Sequence, residues 1–199
     1  MQVYLTTAKR RQPTLERTLQ SLAVAKIGPI VRPDPGRGAF RHWLAVAAEA
    51  AQNAPGIVAI FQDDILVPQG LGRALGAFKW PRSDWGCLSL YLSAKYAGYG
   101  TGWVEHWGCT VWGACALLFP SEVLSALINL PLAQHWKSKR GIDQFVGEGL
   151  EDLGLGIRFH SPSLVQHIGE TSTVCDEPLG GWRVASDFVG EDFKDIIWP

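Results

Sequence analysis

Within its first 64 residues the chain alternates short β-rich apolar runs with stretches of helical periodicity, an order that few folds accommodate. Residues 3–7 form the first run, and Ile57-Val58-Ala59-Ile60-Phe61 forms one without a single polar break. An unbroken, β-branched run of that kind suits a strand covered on both faces. Between the two, residues 13–22 carry Leu15, Leu19 and Leu22 at helical spacing, with Thr14 as the expected N-cap. Residues 27–31 read as a second strand, closed by the turn-rich Pro33-Asp34-Pro35-Gly36-Arg37-Gly38, and the alanine-rich residues 40–53 read as a second helix. Strand, helix, strand, helix, strand predicts an α/β chain: a mostly parallel, Rossmann-like central sheet with helices on both faces. In such sheets ligands gather at the carboxyl ends of the strands. There the sequence puts Thr6 and Thr7, the glycine-containing turn, and Gln62-Asp63-Asp64.

The remainder is less regular. Residues 87–91 and 114–119 are β-like, and residues 96–110 between them read as an aromatic, glycine-spaced loop. Helices are expected over residues 121–130 and 141–153, and a strand over residues 156–160. A short strand-like segment, residues 163–166, then ends at His167, and a loop-rich tail begins at Gly169. A chain of 199 residues, 47% of them hydrophobic, supports one sizeable core and hence a single domain over residues 1–199.

Composition removes several classes of function. The net charge is −1, so no global basic field holds a polyanion. Lys9, Arg10 and Arg11, and again Lys137, Lys139 and Arg140, read as solvated basic faces. Cys87, Cys109, Cys115 and Cys175 lack zinc-ligand spacing and fit reduced, buried thiols in a cytoplasmic protein. The chain passes from Met1 straight into a strand-like run, so neither a signal peptide nor a membrane span is expected.

The chemistry-bearing residues are few. Adjacent aspartates past a buried strand repel one another unless a cation compensates them, and hard carboxylate oxygens suit Mn²⁺ or Mg²⁺. His167, at a second strand end, is a fit partner for such an ion. The glycine-spaced Tyr96, Tyr99, Trp103, Trp107 and Trp112 suit a stacking platform for a sugar or base.

At these residues the sequence resembles the GT-A nucleotide-sugar glycosyltransferases, in the motif order of N-acetylglucosaminyltransferases and of small bacterial or phage-type members. Phe61-Gln62-Asp63-Asp64 is similar to that family's DXD-type motif, although Gln62 stands where many relatives carry an acid. The resemblance implies a metal on Asp64 and His167 and a donor ribose on Asp63. Gly36-Arg37-Gly38-Ala39-Phe40-Arg41 is similar to the turn that delivers a nucleotide-binding arginine, which implicates Arg41. Trp112-Gly113-Ala114-Cys115-Ala116-Leu117-Leu118-Phe119 resembles the glycine-containing strand beneath the acceptor and donor sugars. Gly141-Ile142-Asp143 sits where the family carries its acidic helix start, so Asp143 is the expected general base, with Glu148, Glu151 and Asp152 as competitors. Thr6, Arg10 and Arg183 complete the expected donor site, and Gly180-Gly181-Trp182-Arg183 with residues 188–193 would form a lid.

The resemblance implies a metal-dependent, inverting transfer from a UDP-sugar to an acceptor hydroxyl. Residues 1–68 would form the donor half and residues 69–199 the acceptor and catalytic half. A saccharide, a lipid-linked sugar, a protein and a hydroxymethylpyrimidine of phage DNA all stay open as acceptors. Two other readings stand beside this one: a sugar-phosphate nucleotidyltransferase, and a non-catalytic carbohydrate-binding module built on the aromatic loop.

Overall fold

The computed structural model describes residues 1–8, 13–96, 98, 100–105, 113–136, 141–169 and 183–199. Its first half follows the expected alternation: β1 (Gln2–Thr7), α1 (Pro13–Val24), β2 (Ile30–Pro33), α2 (Ala39–Asn53) and β3 (Ile57–Gln62). Next come β4 (Ile65–Leu66), α3 (Leu71–Ala77), β5 (Trp85–Ser89) and β6 (Gly102–Glu105), and then β7 (Ala116–Pro120) and α4 (Ser121–Ile128). The short α5 (Pro131–His135), α6 (Ile142–Asp152), β8 (Gly156–Ser161) and β9 (Gln166–His167) complete it.

Seven strands make one sheet in the order β2-β1-β3-β7-β5-β8-β6, and β4 pairs with β9 in a separate ribbon. β1, β2, β3, β5 and β8 run one way; β7 opposes its neighbours β3 and β5, and β6 opposes β8. Alternate residues of the inner strands sort onto two faces, as the pleat requires. Tyr4, Val58, Ile60, Leu117 and Phe119 pack under α2, α4 and α6. Val3, Leu5, Ala59, Phe61 and Leu118 pack under α1 and α3. The mostly parallel α/β architecture expected from the sequence is therefore present.

Several local expectations need correction. β2 lies at residues 30–33 rather than 27–31, because the glycine-proline pair Gly28-Pro29 delays strand pairing until Ile30 meets Tyr4. Thr14 lies inside α1 and does not cap it; its buried Oγ1 has no hydrogen-bond partner among the described residues. Part of the aromatic loop is a strand, β6, paired antiparallel to β8. Tyr96 is buried in the core, and Trp103 stacks on Trp198 at 5.8 Å, so neither offers an exposed sugar platform. Tyr99, Trp107 and Trp112 lie outside the described residues.

The tail from residue 183 carries no α-helix or strand and is loop-rich, as expected, but it is fastened down. Gln69 and Gly70 donate backbone N–H groups to the carbonyls of Glu191 and Phe193 (2.8 and 3.0 Å), and Trp198 Nε1 donates to the Ala74 carbonyl at 2.7 Å. Residues 188–193 are thus strapped along the start of α3; residues 180–182, the rest of the expected lid, lie outside the described residues. Cys87 and Cys115 are buried free thiols, and Cys109 and Cys175 lie outside the described residues. Among the described residues no helix is long and apolar enough to cross a membrane.

Candidate functional site

Parallel pairing aligns the carboxyl ends of three strands. Thr7 is level with Pro33 and Thr6 with Gln62, so Thr6, Asp34 and Asp63-Asp64 arrive at one edge of the sheet. The antiparallel β7 begins at that same edge, since Ala116 faces Phe61 and the Gln62 N–H donates to the Cys115 carbonyl at 2.9 Å.

Asp63 is buried at 8% exposure and turns back toward β1, where its Oδ2 accepts the Ala8 N–H at 3.0 Å. Burial pushes its carboxyl up to about 6; the Ala8 hydrogen bond opposes the rise and the neighbouring Asp64 charge adds to it. Asp34 behaves oppositely. Burial pushes its carboxyl up, but the N–H groups of Gly36, Arg37 and Gly38 converge on it and hold it below the usual range. That convergence shapes the turn into α2, where Gly38 takes φ +84°, a backbone state other residues resist.

Asp64 and His167 meet although 103 positions separate them. The β4–β9 ribbon sets Ile65 opposite His167, and the Ile168 N–H donates to the Asp64 carbonyl at 2.8 Å. His167 Nε2 then lies 3.0 Å from Asp64 Oδ2. A carboxylate only accepts, so in the metal-free pair Nε2 carries the proton. Asp64 Oδ1 is buried and has no partner among the described residues. A Cβ added at Gly169 would stand 2.7 Å from Asp64 Oδ2 and 3.1 Å from His167 Nε2.

These features test whether a divalent cation fits. Adjacent ligands on an octahedron with bonds of about 2.1 Å stand roughly 3 Å apart, the separation this pair has. The orphaned Oδ1 is a buried acceptor that a cation would satisfy, and the missing side chain at position 169 leaves room beside Oδ2 and the His167 ring. Among the described residues no group of three or more His, Cys, Asp and Glu side chains is placed to hold a metal. Among those residues the pair offers two candidate ligands, and water or a bound phosphate would add others. That suits Mn²⁺ or Mg²⁺, which keep several such ligands.

Asp143 reaches this neighbourhood from the first turn of α6. Its Oδ2 accepts the Gly113 N–H at 3.1 Å. Gly113, at φ +88°, lies flat against the Tyr91 ring, where a Cβ would come within 2.7 Å. Tyr91 stands 6.4 Å from His167, centroid to centroid, and donates its hydroxyl to the Arg183 carbonyl. The buried Cys115 thiol lies among these groups: burial raises its pKa, Asp64 and Asp143 raise it further, and Arg183 lowers it. Asp64, His167, Asp143 and Arg183 thus share one region.

The other expected site residues are placed as follows. Thr6 donates its hydroxyl to the Phe61 carbonyl at 3.1 Å and braces β1 against β3. Arg41 is exposed in the first turn of α2, and Arg10 lies outside the described residues. Glu151 and Asp152 sit at the opposite end of α6 from Asp143, about 12 Å along the axis at 1.5 Å per residue.

Sequence reasoning passed over the Ala8 N–H, Tyr91, Thr18 and Ser21. Thr18 and Ser21 bond to the backbone around Asp63 and Val67, and their signal was a polar residue inside the apolar helical stripe of Leu15, Leu19 and Leu22.

No protein-family model matches the sequence, and no curated protein matches it. Solved structures do resemble the fold. A glycosyltransferase involved in the glycosylation of the major capsid of PBCV-1 superposes with a TM-score of 0.52 at 9% identity, over 86% of this chain and 95% of that one. A197 from STIV superposes with a TM-score of 0.50 at 9% identity, over 84% and 85%. A putative glucose-1-phosphate thymidylyltransferase from Bacillus anthracis reaches only 0.45 at 13% identity, over 82% and 69%, too low to bear on the argument. The chain has a Rossmann-like fold of the GT-A glycosyltransferase type.

Proposed function

We propose that this chain is a metal-dependent glycosyltransferase that moves a sugar from a nucleotide-sugar, a UDP-sugar in the first instance, to an acceptor hydroxyl. The observation that carries the reading is the Asp64–His167 pair with its orphaned carboxylate oxygen, at the carboxyl edge of a GT-A-type sheet. Asp64 and His167 would hold Mn²⁺ or Mg²⁺, which supplies charge stabilisation to a leaving diphosphate. Asp63, turned toward β1, would accept a hydrogen bond from the donor ribose. Arg41, Arg10 and Arg183 would add cationic contacts to the phosphates. Thr6 would line the donor pocket, where its hydroxyl, donated to the Phe61 carbonyl, can still accept a hydrogen bond.

Asp143 would take the proton of the acceptor hydroxyl as it attacks the anomeric carbon. A single base and direct displacement invert the anomeric configuration. The burial of Tyr96 and the stacking of the half-buried Trp103 on Trp198 count against a carbohydrate-binding module built on the aromatic loop.

The test is a donor screen with Mn²⁺, following UDP release from UDP-sugars. Release should require Mn²⁺ and fall by at least about a hundredfold in Asp64→Ala and His167→Ala. Undiminished turnover in both variants, or in excess chelator, would overturn the cation assignment. Product anomers read by NMR test inversion.

A further inference from the structure

β4 is two residues long and pairs with β9 along one edge only. A ribbon so short has little stability of its own. The backbone groups along its other edge are buried with Ile65 (0% exposed) and Val67 (2%), and buried N–H and C=O groups need partners. The two-stranded sheet ends there, and among the described residues no strand supplies them.

α1 supplies them instead. Thr18 Oγ1 accepts the Ile65 N–H at 3.0 Å, and its own proton is shared between the carbonyls of Ile65 (2.9 Å) and Asp63 (3.0 Å). One turn along, Ser21 Oγ accepts the Val67 N–H at 2.9 Å and donates to the Val67 carbonyl at 3.1 Å. Each hydroxyl takes an N–H and serves a C=O of the same residue, which is what a neighbouring strand would do. The spacing agrees: residues 65 and 67 face the same edge of an extended chain, and residues 18 and 21 face the same side of a helix. Thr18 is fully buried and Ser21 nearly so, at 2% exposure.

This clamp grips the chain at the site itself. Asp63 is held through its carbonyl by Thr18 on one side, and Asp64 is held through its carbonyl by the Ile168 N–H on the other. The backbone that carries the carboxylates is pinned between α1 and the residue that follows β9.

We propose that Thr18, supported by Ser21, is a positioning residue of the cation site, holding the Asp64 carboxylate at the separation from His167 that a metal requires. The inference rests on the proposed cation reading of that pair. Without the Thr18 hydroxyl, the buried Ile65 N–H and C=O lose their partners, and β4 shifts to recover them. The Asp64–His167 geometry shifts with it.

Binding of Mn²⁺ to the full chain, alone and with UDP, followed by electron paramagnetic resonance, provides the test apart from turnover. Thr18→Val keeps the shape and removes the hydroxyl, and Thr18→Ser keeps the hydroxyl. Mn²⁺ affinity should fall about tenfold or more in Thr18→Val, the range seen when outer partners of metal ligands are removed, and stay within about threefold of the parent in Thr18→Ser. A Thr18→Val protein that is folded by circular dichroism, melts earlier and binds Mn²⁺ like the parent overturns the inference and leaves the cation reading intact. A parent that binds no Mn²⁺ with or without UDP overturns both. Should Thr18→Val fail to fold, Ser21→Ala decides: a loss of about threefold supports the clamp, and unchanged binding refutes it.

Discussion

Asp63 offers a direct measurement of what the site costs the fold. Its carboxyl is buried, and its pKa rises from 3.8 to about 6, chiefly through burial and further through the charge of Asp64. A raised folded-state value means that the folded chain holds this proton more tightly than the unfolded chain does. The associated stability is fully present below about pH 4 and is lost as pH rises through about 6. A rise of about two units, at about 1.4 kcal/mol each, makes the ionised carboxylate a burden of about 3 kcal/mol at neutral pH. Asp63→Asn removes that charge and keeps an oxygen to accept the Ala8 N–H.

Urea unfolding of parent and variant in chelator, from about pH 4 to about pH 7, should show a difference that is small at the acid end. It should grow to as much as about 3 kcal/mol in favour of the variant at the neutral end. Asp34 and Glu49, whose pKa values are lowered in the fold, are present in both proteins and cancel from the difference. A difference that stays constant across that window would refute the argument, because the carboxylate would then be as comfortable inside as out. The variant should also fail to release UDP from a donor. Stability gained where activity is lost is the signature of a residue kept for chemistry.

Three further outcomes follow from packing around the site. Gly169→Ala puts a Cβ 2.7 Å from Asp64 Oδ2, so Mn²⁺ affinity measured by calorimetry should fall by about tenfold with the circular dichroism spectrum unchanged. Phe145→Ala empties a cluster in which that ring meets Phe40 at 5.0 Å and Trp136 at 5.4 Å. It should cost about 3–5 kcal/mol in urea unfolding, and a loss under about 1 kcal/mol would contradict the packing. Trp198→Ala removes the bond to Ala74 and the stack on Trp103, and should lower stability by about 2 kcal/mol and release the tail to limited proteolysis.

The legible parts of this chain share a physical cause. Ile57–Gln62 and α2 were readable because each buries a long, regular face, and that burial imprints a period on the sequence. β4 and β9 have two residues each, too few for any period, yet their pairing brings Asp64 and His167 together. What pointed there was chemistry: two acids at one strand end and an imidazole at another are poor choices for packing, and so stand out. The misplaced start of β2 and the overlooked β6 have the opposite origin, since only their partners β1 and β8 decide where those edge strands begin. Thr18 belongs to neither class. It occupies a stripe position that periodicity assigns to an apolar side chain, and it is fully buried there. A hydroxyl at such a place needs a partner, which either its own helix or the backbone opposite can supply. Here the backbone opposite supplies it, and that segment is the one that carries the acids.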